Sequence, residues 1–215
     1  MGIPGFVDSE LQQPEYWGEA KEFLSKVDGI MSRLIDGHEH PPLSSRGDAF
    51  LTLMRSIVGQ QISSKAADSV WGRIENLLGA VTPESILGAS YDDLRACGLS
   101  GRKSEYVVGI AEAWLTGYSE IVWSELSDEE ATSRLVALRG VGEWTAEMIL
   151  IFSLLRPDVF PIADIGVIRS MERLYNQGNA LSESELMAIA ESWRPYRTVA
   201  TWYLWRSSDP EPVRY

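Results

Sequence analysis

The chain has 215 residues, 45% of them hydrophobic, and a formal net charge of −12, which is enough apolar material for one or two ordinary cores. Apolar runs such as Met148 to Leu155 stop well short of the roughly 20 residues of a membrane-spanning helix. The early acids, with no basic-then-apolar tract, exclude the pattern of a secretory or transit peptide, so an intracellular protein without membrane contact is expected. A single cysteine, Cys97, excludes an internal disulfide and a cysteine-ligated zinc or iron-sulfur site.

In chain order the elements read as helices, with no convincing alternating strand, so the expected fold class is all-α. A first amphipathic stretch runs from about Glu15 to Ile35, with Phe23, Val27, Ile30, Met31 and Leu34 at helical spacing, and ends near Gly37. His38 and His40 follow in a Pro-flanked loop and read as surface residues, leaving no side-chain metal site. A helix over Ala49 to Val58 is interrupted by Gly59-Gln60-Gln61, after which Ser63 or Ser64 caps a helix that ends at Gly79. Thr82-Pro83-Glu84 opens a short helix, and Ser90-Tyr91-Asp92-Asp93 resembles a capping box for another, closed by Gly98. A helix to about Leu115 follows Ser100-Gly101-Arg102-Lys103, and Ser127-Asp128-Glu129-Glu130 is a capping box before Ala131 to Leu138. Helices after Asp164, Ser182 and Pro195 complete the chain. No internal repeat or flexible linker separates independent domains. Two closely packed lobes are expected, residues 45–130 as one and 1–44 with 131–215 as the other, with a ligand cleft between them.

The segment Leu138-Arg139-Gly140-Val141-Gly142-Glu143-Trp144-Thr145-Ala146 joins two helices through a tight hairpin. Its two glycines permit positive φ and close backbone approach, and the free amides opening the second helix form a phosphate-binding nest. Such a grip needs little side-chain charge. That matters, because the acidic net charge opposes the phosphate neutralisation that supplies most non-specific DNA affinity. Charge is unevenly spread: residues 1–48 hold 9 acids against 4 basic residues, whereas Arg169, Arg173, Arg194, Arg197 and Arg206 crowd the last quarter and suggest a local basic face.

Twenty-two residues after Gly142, Phe160-Pro161-Ile162-Ala163-Asp164 delivers a carboxylate at a helix start. Read alone, Asp164 is a helix cap. The order of hairpin, proline loop and aspartate resembles the helix-hairpin-helix DNA glycosylase superfamily. The resemblance implies that Gly140, Val141, Gly142 and Thr145 bind the DNA backbone and that Asp164 is the catalytic carboxylate at a flipped nucleotide. Members that also cut the strand carry a lysine where this chain has Trp144, so no Schiff base with the sugar is expected there. The absent cysteine cluster separates the chain from the iron-sulfur branches.

What remains resembles the 3-methyladenine DNA glycosylase II family. Gly59-Gln60-Gln61-Ile62-Ser63, then Lys65-Ala66-Ala67, is similar to that family's wedge loop, with Gln61 as the wedge and Gln60 beside it. Gly98-Leu99-Ser100-Gly101-Arg102-Lys103 is similar to a further stretch, implying backbone contacts from Ser100, Arg102 and Lys103. Trp193-Arg194-Pro195-Tyr196-Arg197, ending in Trp205, is similar to its C-terminal helix. The resemblance covers about residues 45 to 208 and implies a compact form without the N-terminal sheet domain of longer members.

The implied activity is hydrolytic release of alkylated purines such as 3-methyladenine and 7-methylguanine from double-stranded DNA, by a monomer requiring no cofactor. The family hairpin can also hold a monovalent cation on its backbone carbonyls. Trp205 and Trp144 would offer electron-rich faces to the cationic base, while Met148 stands where some members carry a pocket tyrosine and leaves the substrate range open. Uncharged lesions (hypoxanthine, ethenoadenine, uracil) and a non-catalytic DNA-binding role stay as alternatives.

Overall fold

A computed structural model describes residues 12–38, 42–45 and 47–208. Among these, twelve α-helices and no strand are present; the only pairing of β type is an isolated bridge between Gln12 and Ser45. His40 lies outside the described residues. No described helix is long and apolar enough to cross a membrane.

The first apolar stretch is two helices, not one: α1 (Trp17–Val27) and α2 (Gly29–Gly37). Asp28 breaks the run. Its backbone is extended, and its Oδ1 accepts from the N–H groups of Ile30 at 2.7 Å and Met31 at 3.1 Å, capping α2. Its Oδ2 accepts from Tyr175 Oη at 2.7 Å and Trp193 Nε1 at 2.9 Å. A half-buried carboxylate with four donors is worth more here than one continued helical turn.

The later helices start where local capping chemistry places them. Asp48 caps α3 (Ala49–Gly59), and Ser63 caps α4 (Ser64–Leu78), which ends at Gly79 with φ +73°. Thr82 and Ser85 form a reciprocal box at α5 (Pro83–Gly88). Before α6 (Tyr91–Ala96), the Asp93 carboxylate turns to the Ser90 hydroxyl at 2.7 Å instead of completing a box with the backbone. Ser100 caps α7 (Gly101–Leu115). The box of Ser127 and Glu130 starts α8 (Asp128–Val136) three residues before the expected Ala131, because a capping box begins the helix at the next residue. Then follow α9 (Glu143–Phe152), α10 (Ile165–Tyr175), α11 (Glu183–Glu191) and α12 (Arg197–Ser208).

Helices α3 to α7 pack on one another, as do α1, α2, α10 and α12; α9 packs on α3 and α8 and meets the second group where Phe152 stacks on Trp205 of α12. Buried side chains from both groups merge into one continuous cluster. Helix α12 is buried almost all round through Val199, Ala200, Trp202, Tyr203 and Leu204, as expected of a central helix with no polar face.

Candidate active site

The loop from α9 to α10 is fastened before it reaches Asp164. Arg156 donates to the carbonyls of Leu126 at 2.6 Å and Trp123 at 3.2 Å. Asp158 accepts from both Arg194 and Arg197, and Val159 N–H donates to Thr198 Oγ1 at 3.0 Å. Phe160 and Pro161 are buried. Anchoring of this kind fixes the start of α10, and with it the direction of the Asp164 side chain.

Asp164 is the N-cap of α10: its Oδ1 accepts from Val167 N–H at 2.9 Å. Trp205 Nε1 donates to the same oxygen at 3.0 Å, and Trp144 Nε1 donates to Oδ2 at 2.8 Å. The capping role and the candidate catalytic role therefore sit on one residue. The carboxylate faces a cavity of about 320 Å³ that is lined by Trp144, Met148 and Phe152 of α9, Trp202, Trp205 and Arg206 of α12, Trp71 of α4 and Arg55 of α3. Such a volume suits a single heterocyclic base. Met148 is buried in the wall, and Trp205 stacks on Phe152 with centroids 5.6 Å apart and planes 17° apart. Ile62 and Ile165, 41% and 61% exposed, stand at its mouth.

Glu147 is half-buried on α9 one turn beyond Trp144. Burial, then the charges of Glu143 and Asp164, pushes its carboxyl up to about 7.

The hairpin between α8 and α9 is closed by a bond from Val141 N–H to the Leu138 carbonyl at 3.1 Å, with Val141 buried. Gly140 has φ +93°, and a Cβ there would stand 2.3 Å from the Tyr106 ring, so both the conformation and the contact require glycine. Gly142 precedes α9 with no side-chain cap, so the first N–H groups of that helix face outward without an intrahelical acceptor.

Other expected contacts are redirected. Gln60 is not part of a wedge: its Nε2 donates to the Gly140 carbonyl and to Thr145 Oγ1, each at 3.0 Å. Thr145 is correspondingly buried and does not present its hydroxyl to a DNA backbone. Lys103 also turns inward, its ammonium donating to the carbonyls of Val58 at 2.8 Å and Gln60 at 2.7 Å, with burial lowering its pKa. Gln61 alone of the pair stands exposed at the loop tip, in the left-handed region at φ +59°. Ser100 is exposed and caps α7, and Arg102 is exposed beside it.

The C-terminal arginines do not assemble into a basic face. Arg194 and Arg197 are held by Asp158, Arg173 donates to Ser207, and Arg206 is buried against the Trp202 ring. Arg169 is exposed. Each of the redirected four found a partner that folding brought close, which a count along the sequence does not register.

Several lining residues went unnamed in the sequence reading. Phe152 lies four residues beyond Met148, itself four beyond Trp144, so the i, i+4 row of α9 could have supplied it. Trp202 and Arg206 flank Trp205 at helical spacing. Trp71 and Arg55, which lie 5.1 Å apart as ring centroid and guanidinium, carried no such signal.

Residues 54–195 match the family model described as HhH-GPD superfamily base excision DNA repair protein. The chain belongs to this superfamily. It is 34% identical over 208 residues to DNA-3-methyladenine glycosylase 1 of Schizosaccharomyces pombe, covering 91% of each chain. The fold superposes on a solved S. pombe 3-methyladenine DNA glycosylase in complex with abasic DNA with a TM-score of 0.80, covering 88% of this chain and 96% of that one at 34% identity. A 3-methyladenine DNA glycosylase from Archaeoglobus fulgidus superposes with a TM-score of 0.77 over 88% of this chain and 68% of that one, at 30% identity. The all-α fold expected from the sequence is the one shared with these solved members.

Proposed function

We propose that this chain is a monofunctional DNA glycosylase of base excision repair, releasing alkylated purines such as 3-methyladenine and 7-methylguanine from double-stranded DNA. The observation that carries the reading is the Asp164 carboxylate at an aromatic cavity of base size, with Trp144 where a strand-cutting relative needs an amine. The hairpin and the start of α9 grip the phosphate backbone, together with exposed Ser100 and Arg102, and Gln61 enters the stack as the damaged nucleotide leaves it. Flipping costs a few kcal/mol, less for a damaged or weakly paired base. An N3- or N7-alkylated purine is cationic, so its glycosidic bond is already weakened and no general acid is required. Asp164 stabilises the positive charge that develops on the sugar and orients the water that adds to C1′ as the base departs.

A monomer suits this clasp, working wherever the cell keeps its DNA. A monovalent cation on the hairpin is compatible with its carbonyls: those of Leu138 and Gly140 each accept one hydrogen bond and keep a second lone pair. Among the described residues no cluster of histidine, cysteine or acidic side chains could hold a metal.

A second reading, excision of neutral lesions, is favoured by one feature. Arg206, 4% exposed and seated on the Trp202 ring, lines the cavity; a guanidinium in the wall is a better neighbour for a neutral base than for a cationic one. The test is chromatography of free bases after incubating the purified protein with methylated duplex DNA, and in parallel with hypoxanthine-containing duplex. Release of 3-methyladenine or 7-methylguanine supports the main reading. Release of hypoxanthine alone supports the second, and silence on both duplexes overturns the main reading and removes hypoxanthine from the second.

A further inference from the structure

We infer that Trp144 and Trp205 are positioning residues for base excision, acting through their indole N–H groups, which hold the Asp164 carboxylate in one orientation. The inference rests on the glycosylase reading above and assigns these side chains a task distinct from stacking on a base.

A carboxylate offers roughly four acceptor sites. Val167 N–H and Trp205 Nε1 fill two on Oδ1, and Trp144 Nε1 fills one on Oδ2. The donors come from three helices, α10, α12 and α9, so the carboxylate is fixed about both its side-chain torsions. One acceptor site is left for the sugar or the attacking water. Preorganised charge of this kind needs no reorientation as the sugar becomes positive.

Two further features serve the same geometry. Trp205 is held in plane by its stack on Phe152. At Gly166, a Cβ would stand 3.1 Å from Asp164 Oδ1 and 3.4 Å from Trp205 Cδ1, so the absence of a side chain lets the indole edge close on the carboxylate. Neither feature is required if the indoles only pave the cavity wall.

The test pairs kinetics with a reading that does not depend on activity. Trp144→Phe and Trp205→Phe keep an aromatic ring and delete the N–H. Each is expected to lower the single-turnover excision rate at saturating enzyme roughly tenfold to a hundredfold, the usual worth of a hydrogen bond to a charged group, with half-saturation by DNA unchanged. In a 15N–1H spectrum of the eight tryptophan side chains, Asp164→Asn should displace the Trp144 or Trp205 indole signal, or both. Trp193, which donates to Asp28, serves as the unmoved control.

Unmoved Trp144 and Trp205 signals would overturn the inference. So would Phe variants that keep the full rate, or that lose it only through weaker DNA binding. Displaced signals in a protein that releases no base would uphold the indole contacts and count against the glycosylase reading instead.

Discussion

Gln60 Nε2 donates to the Gly140 carbonyl at 3.0 Å, bonding the loop that carries Gln61 to the hairpin between α8 and α9. The same loop is held from behind by Lys103, whose ammonium donates to the Gln60 carbonyl at 2.7 Å. On the reading proposed above, in which Gln61 is the wedge and the hairpin the backbone grip, these bonds set the two in one register. For Gln60→Ala we expect single-turnover excision to fall about tenfold, the worth of one or two partly buried hydrogen bonds, with overall stability lowered by about 1 kcal/mol. An unchanged excision rate would show that the loop keeps its place without this bond.

Gly140 provides a test of the hairpin that separates two causes. Alanine there must adopt φ +93° and overlap the Tyr106 ring, together costing about 3 kcal/mol. Gly140→Ala should lower the melting temperature and weaken DNA binding. Adding Tyr106→Ala should recover the steric part and leave the conformational part. No recovery in the double variant would mean that the backbone conformation carries the whole cost.

Glu147 predicts a pH dependence of stability. Its folded pKa of about 7 stands above the ordinary 4.5, so the folded state holds the proton more tightly than the unfolded chain. That contribution is complete below about 4.5 and is lost as pH rises through about 7. Glu147→Gln, neutral at every pH, should therefore match the wild type near pH 4 and exceed its stability at pH 8. Partial solvent access reduces the gap to about 1–2 kcal/mol. Denaturant unfolding at both pH values measures it, and a gap that does not change with pH would contradict the assignment.

How much of this was legible beforehand follows the range of the interactions involved. The caps at Asp48, Ser63, Ser100, Ser127 and Ser182 bond to backbone within three residues, so the helix starts could be placed from short patterns. Asp28 carries the same local signal, its cap bonds to Ile30 and Met31, but stands inside a continuous apolar period that masks it, and the bonds to Tyr175 and Trp193 that also hold it come from 147 and 165 residues away. In the site, Gly142, at φ −101° with open space around its Cα, needs no glycine and its positive-φ expectation is not met, whereas Asp164 was readable because it caps a helix and Gly140 because its backbone demands glycine. The inward turns of Gln60, Thr145 and Lys103 were not, since an amide, a hydroxyl or an ammonium beside DNA-binding elements reads equally well as a DNA contact. For Trp144 and Trp205 the sequence offered ring faces for a base; their N–H edges and the carboxylate meet only once α9, α10 and α12 have packed.

The central claim is that Asp164 drives excision, and its most direct measurement is single-turnover release from a duplex carrying one alkylated purine, comparing wild type with Asp164→Asn while monitoring binding to the same duplex. The near-isosteric amide removes the charge while keeping an oxygen to cap α10. The account predicts that excision is lost by at least about a thousandfold, as expected when the main electrostatic stabiliser is removed, with DNA affinity changed by less than about threefold. Excision by Asp164→Asn at the wild-type rate would contradict it.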